Sequence, residues 1–140
     1  IGLNDAVDGT HLNMAAFASH YQALTDVLCA SGAAVVLVGN TPAVHRRTSL
    51  AKPSASIGSW LRKHSQARGL AYMNLTAALG GAGIVTDWIK SARMQPDGMP
   101  FTAEGYQAIA SVLFDAWMHA YAQAQKESSL NNVPAAQPKQ

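Results

Sequence analysis

Between Met14 and Ala30 the large apolar residues Met14, Phe17, Tyr21, Leu24 and Leu28 recur at three- and four-residue intervals, which gathers them on one helical stripe. Asn13 precedes the run as an N-cap and Gly32 follows it as a stop. The next run, Ala33-Ala34-Val35-Val36-Leu37-Val38, is apolar without alternation and is bounded by Gly39-Asn40-Thr41-Pro42. That pattern predicts a buried parallel strand covered on both faces. A polar, basic stretch from His45 to Pro53 leads into a second helix, predicted from Ser54 to about Ala67 and closed near Gly69. Leu70 to Leu75 reads as a second strand, and Gly80 to Pro96 mostly as loop with a helical turn around Trp88. Thr102 then caps a long helix with Tyr106, Ile109, Leu113, Trp117 and Tyr121 on one face.

The order helix, strand, helix, strand, helix is an α/β pattern with right-handed crossovers. The chain shows no internal repeat and no second core-forming segment, so residues 1–125 are expected to form one domain or part of one. Residues 126–140 are polar and proline-bearing and are expected to be a disordered tail.

Composition narrows the function classes. Of 140 residues, 49% are apolar and 13% charged, enough for one buried core. No apolar run reaches the roughly 18 residues of a membrane span, and a net charge of +2 without interleaved aromatics gives no nucleic-acid footprint. The single cysteine, Cys29, lies in a helical apolar pattern and reads as a small core residue. No His-x-x-x-His pair or paired-cysteine site is present, and Gly80-Gly81-Ala82-Gly83 lacks the lysine of a phosphate loop. Neither a metal nor a cofactor is therefore expected. Arg46, Arg47, Lys52, Arg62, Lys63 and Arg68 read as a solvated rim, while Arg46-Arg47-Thr48-Ser49-Leu50 has the form of a kinase site and Asn74-Leu75-Thr76 that of a glycosylation sequon on a buried strand.

Two short segments carry candidate chemistry. Ile1-Gly2-Leu3-Asn4-Asp5 has the shape of a strand ending in a glycine turn, with an asparagine amide just beyond the sheet. Asp97-Gly98-Met99-Pro100-Phe101-Thr102-Ala103-Glu104-Gly105-Tyr106 has an acid, a turn and a helix start. In an open α/β sheet, residues in such places gather at the carboxyl ends of the strands. Together they resemble the SGNH (GDSL-type) hydrolase family, whose third block is Gly-x-Asn-Asp and whose fifth is Asp-x-x-His followed by Thr and Gly-Tyr. The resemblance covers Ile1 to about Ala122.

The resemblance implies a serine esterase, lipase or acylhydrolase acting on an ester of a lipid, carbohydrate or small molecule. It also implies a flavodoxin-like three-layer α/β/α sandwich with a parallel sheet, of which the N-terminal strands would be missing from this chain. Asn4, with Gly2, matches the oxyanion position and Asp97 the triad acid; Pro100 stands at the position of the base and cannot act as one. The family's Gly-Asp-Ser block does not occur in the sequence, so the site is catalytically incomplete as written. The alternative is a non-catalytic ligand-binding or scaffold module on a hydrolase-like fold.

Bland readings stand beside these. Asn4-Asp5 also suits an Asx turn, and Asp97-Gly98 a turn before a capped helix. His11, in Asp8-Gly9-Thr10-His11, imitates the missing acid–histidine block and is a substitute base or simply a loop histidine. His20 and His119 read as helix-flank residues, and His45 and His64 as solvated. An incomplete sheet would leave an open strand edge, which predicts marginal stability, self-association or dependence on an N-terminal segment.

Overall fold

A computed structural model describes residues 3–7, 12–40, 44–45, 48–98 and 101–131. The elements are α1 (Leu3–Val7), α2 (Met14–Ala30), β1 (Val36–Val38), β2 (Val44–His45), β3 (Thr48–Ser49), α3 (Ala51–Arg68), β4 (Ala71–Met73), α4 (Leu75–Ala78), a 3-10 turn (Ala82–Ile84), α5 (Val85–Lys90) and α6 (Ala103–Asn131). The fold is mixed α/β and mostly helical. Strands β1 and β4 pair in parallel with Val36 opposite Ala71 and Val38 opposite Met73, while β2 and β3 form a small antiparallel pair.

Local chemistry explains most element boundaries. The Asn13 side chain accepts from the Ala15 and Ala16 amides at 3.1 Å, supplying the start of α2. Gly69, at φ 65°, ends α3 with its own and the following amide turned back onto Gln66 and Ser65. Helix α3 begins three residues earlier than the pattern predicts, because Pro53 falls in the first turn, where its missing N–H costs nothing. The helical turn expected around Trp88 is α5, lengthened at its start by the 3-10 turn Ala82–Ile84, whereas Asn74, read as strand, is instead the exposed N-cap of α4. The sequon asparagine is thus at a helix start rather than inside a buried strand.

The strands divide two apolar clusters. Leu37 joins Ala6, Phe17, Leu50, Ile57 and Leu61, with Val35 and Tyr72 packed against them. Val38 and Met73 pack instead against Leu75, Leu79, Val85, Trp88, Met94, Phe101 and Ile109. Alternation along a strand sends neighbouring residues to opposite faces, so α1, α2 and α3 serve one face and the segment from α4 to α6 the other. Tyr72 fits under Gly39 and Gly58, whose missing side chains leave room for its hydroxyl, and burial raises its pKa against an opposing effect of Arg62.

Two further expectations are corrected. Helix α6 runs through Asn131, past the start of the expected tail. Its apolar face is only partly used: Ile109 is buried, whereas Tyr106, Trp117 and Tyr121 are exposed. Val36 is 46% exposed, so β1 is not covered on both faces.

His64, read as solvated, is half-buried and has partners. Its ring stacks on Trp60 at 4.6 Å, and its Nε2 lies 2.9 Å from the hydroxyl of buried Thr25. Thr25 donates its own proton to the Gln22 carbonyl, so His64 is the donor to Thr25. Burial lowers the His64 pKa, helped by Arg68 and opposed by Asp26, which itself pairs with Arg68. The folded state then binds this proton less readily than the unfolded chain. Stability is full above the ordinary imidazole value of about 6.5 and falls as pH drops through it towards the lowered folded value. The melting temperature of the wild type is expected to decline over this range more steeply than that of His64→Gln; parallel curves would remove His64 as the cause.

Candidate active site

Helix α1 is a short helical segment held by Ala6, which is fully buried in the first cluster. Asn4 stands on it exposed and Asp5 half-buried. The asparagine is therefore helical rather than the first residue of a turn beyond a strand. Gly2, His11 and Pro100 lie outside the described residues.

Asp97 belongs to the turn Gln95-Pro96-Asp97-Gly98, closed by the Gly98 amide on the Gln95 carbonyl at 2.9 Å. Proline presets the second position, aspartate suits the third, and Gly98 accepts φ 82°. An antiparallel bridge between Met94 and Phe101 closes the loop, and both residues are buried in the second cluster. Asp97 itself is exposed. The residue types of the turn follow from backbone demand, so the presence of an aspartate here is explained without catalysis.

The helix start after Asp97 is clamped to the turn that follows α5. The Thr102 amide donates to the Arg93 carbonyl at 3.1 Å and its hydroxyl to the Ala92 carbonyl at 2.7 Å. The same hydroxyl accepts from the Gly105 amide at 3.2 Å, capping α6. Gly105 lies so close to Arg93 that an added Cβ would overlap the Arg93 carbonyl oxygen. Thr102 and Gly105, two positions on which the family resemblance rests, thus have a positioning role here.

Ala92 makes the preceding turn with φ 56°. Its amide bonds the Ile89 carbonyl and the Arg93 amide the Trp88 carbonyl, a helix ending in which glycine usually occupies the left-handed position. Alanine is strained there by about 1 kcal/mol. Ala92→Gly is expected to raise stability by about 0.5 kcal/mol after the added freedom of the unfolded chain is offset. Denaturant titration reads this; a loss beyond 1 kcal/mol would show that the conformation costs alanine little.

Sequence reasoning passed over Asn40, which is 5% exposed at the carboxyl end of β1. Its Nδ2 donates to the Ser54 hydroxyl at 2.7 Å, and its carbonyl accepts from the Thr76 hydroxyl at 2.7 Å. These bonds tie the ends of the strands to the first turn of α3 and to α4. The signal was a polar residue two positions after an apolar strand. Ser54 is not an activated nucleophile by this contact, because an amide that donates to a hydroxyl cannot take its proton.

Among the described residues, the hydroxyl hydrogen-bonded to a histidine is that of Thr25. It is 2% exposed and its proton is committed to a carbonyl, so a substrate cannot reach it. Also among the described residues, no group of three or more His, Cys, Asp or Glu is placed to hold a metal, and no helix is long and apolar enough to cross a membrane. Comparison of the chain with protein-family models, curated proteins and solved structures returned no match.

Proposed function

We propose that this chain carries part of a serine ester hydrolase site of the SGNH type, on part of a flavodoxin-like α/β/α sandwich. Asn4 occupies the oxyanion-donor position and Asp97 the acid position. In a complete site of this kind a serine attacks an ester carbonyl, a histidine takes its proton, and the acid orients that histidine. The asparagine amide donates to the developing oxyanion. The chain has neither the serine block nor, with Pro100, the base. The substrate is an ester of a lipid, carbohydrate or small molecule.

The observation that carries this reading is the clamp behind Asp97. Thr102 fixes the start of α6 to Ala92 and Arg93, so the acid sits on a loop whose two ends are both held. A triad acid has to be held in a fixed position relative to its histidine, and a loop fixed at both ends supplies that, although the same turn also meets backbone demand alone. Pro100 favours the second reading, a ligand-binding or scaffold module that no longer hydrolyses anything.

The test is hydrolysis of a short-chain nitrophenyl ester together with fluorophosphonate labelling. The chain as given is expected to show neither turnover nor label. Supplying a Gly-Asp-Ser block upstream together with Pro100→His is expected to restore both, and Asp97→Asn in that background to remove most of the turnover. If the restored chain folds and stays inert, the binding reading replaces this one. Turnover and serine labelling in the unaltered chain would place the nucleophile elsewhere and sink the assignment of the site.

A further inference from the structure

Asn40 stands where the two apolar clusters meet. One of its bonds reaches Ser54 of α3, the helix whose Ile57 shares the first cluster with Ala6 of α1. The other comes from Thr76 of α4, next to Leu75, which shares the second cluster with Met94 and Phe101, the two ends of the Asp97 loop. A line of contacts thus runs from Asn4, two residues before Ala6, through Asn40 to Asp97. Among the described residues, no other residue joins the two halves through side-chain hydrogen bonds. The sheet between them is thin: β1 and β4 have three residues each, and a two-stranded pair holds orientation weakly.

We propose that Asn40 is a positioning residue that sets the separation of Asn4 and Asp97, an inference that rests on reading those two as parts of one site. A buried amide loses its hydration even when bonded, and an apolar side chain would fill the place without that cost. What the amide adds is direction. Its bond to Ser54 fixes the start of α3, on which α1 packs, against the end of β1. The bond from Thr76 fixes α4, and with it the second cluster under the Asp97 loop, against the same point. That point is the carboxyl end of a parallel strand, where an open α/β sheet gathers its site. The two bonds use different atoms, the side-chain amide for Ser54 and the backbone carbonyl for Thr76, so each can be removed without the other.

Distances between spin labels on the full chain test this. Cys29 is the single native thiol and positions 4 and 97 are exposed, so Cys29→Ser with Asn4→Cys and Asp97→Cys places one label at each. This parent protein is expected to give one narrow distance distribution. Ser54→Ala and Thr76→Val are each expected to shift or widen it by about 1–2 Å, and Asn40→Ala by at least as much. Thr25→Val removes a buried bond that lies within one half, and is expected to leave it unchanged. A distribution that is already broad in the parent, that ignores these variants, or that responds equally to Thr25→Val overturns the proposal. In the chain restored with a Gly-Asp-Ser block and Pro100→His, Asn40→Ala, or Ser54→Ala where the former does not fold, is expected to lower kcat about 100-fold with KM little changed, as a misplacement of about 1 Å does. A raised KM with kcat intact overturns it too. An inert restored chain counts against the ester-hydrolase reading alone, and the label distances still decide the role of Asn40.

Discussion

Gly105→Ala is expected to cost roughly 3 kcal/mol or more, at the upper end of what overpacking does, because the overlap is with backbone. A crowded side chain can rotate away, whereas the Arg93 carbonyl is held in place by the Thr102 amide and by the turn after α5. Relief requires α6 to lift from that turn, which would stretch the 2.7 Å bond from Thr102 to Ala92 and open the second cluster around Phe101 and Ile109. For a domain of this size such a loss lowers the melting temperature by on the order of 10 °C. Gly83→Ala is the control: nothing lies within 4 Å of its added carbon, and the change is expected to stay within about 0.5 kcal/mol. A Gly105→Ala protein melting within a degree or two of wild type would show that the approach of α6 to Arg93 is not tight. In that case the Gly-Tyr pair would need another explanation.

Trp88→Ala is expected to cost about 3–5 kcal/mol, the range for removing a large aromatic from a core. Trp88 is 3% exposed and meets the Phe101 ring edge-on at 5.8 Å, while its carbonyl receives the Arg93 and Met94 amides. The indole thus fills the centre of the second cluster under the loop that presents Asp97. Trp88→Phe keeps an aromatic against Phe101 and is expected to lose about half as much. Combined with Gly105→Ala the effects should fall short of the sum, since each change loosens the same contacts between α5, the Asp97 loop and α6. Urea titration of the four proteins reads this directly. A loss under 1 kcal/mol for Trp88→Ala, or strict additivity, would mean that the cluster repacks around the gap.

How far each feature was legible depended on the range of the interaction behind it. Asn13, Gly69 and Thr102 act on amides within a few residues, so their capping roles could be read from the chain. The parallel pairing of the two short apolar runs followed from a helix between them. Asn40 was passed over because its partners lie 14 and 36 residues away. His64 looked solvated in its basic surroundings because Thr25, across 39 residues, could not be foreseen as its partner. For the candidate site, the turn around Asp97 was readable from Pro96-Asp97-Gly98, while the helical setting of Asn4 depends on Ala6 being drawn into the first cluster.

Helix α6 marks the boundary most clearly. Its periodicity sets Tyr106, Ile109, Leu113, Trp117 and Tyr121 on one side, a consequence of 3.6 residues per turn that any reader of the chain can derive. The order of helix, strand, helix, strand, helix likewise sets a mixed α/β class. That Ile109 is buried and Trp117 is 70% exposed could not be derived in this way, because burial depends on what lies opposite. The same holds for Gly105, whose necessity comes from a carbonyl twelve residues back. Periodicity is a property of one segment, whereas burial and close approach belong to pairs of segments, and those pairs exist only once the chain has closed on itself.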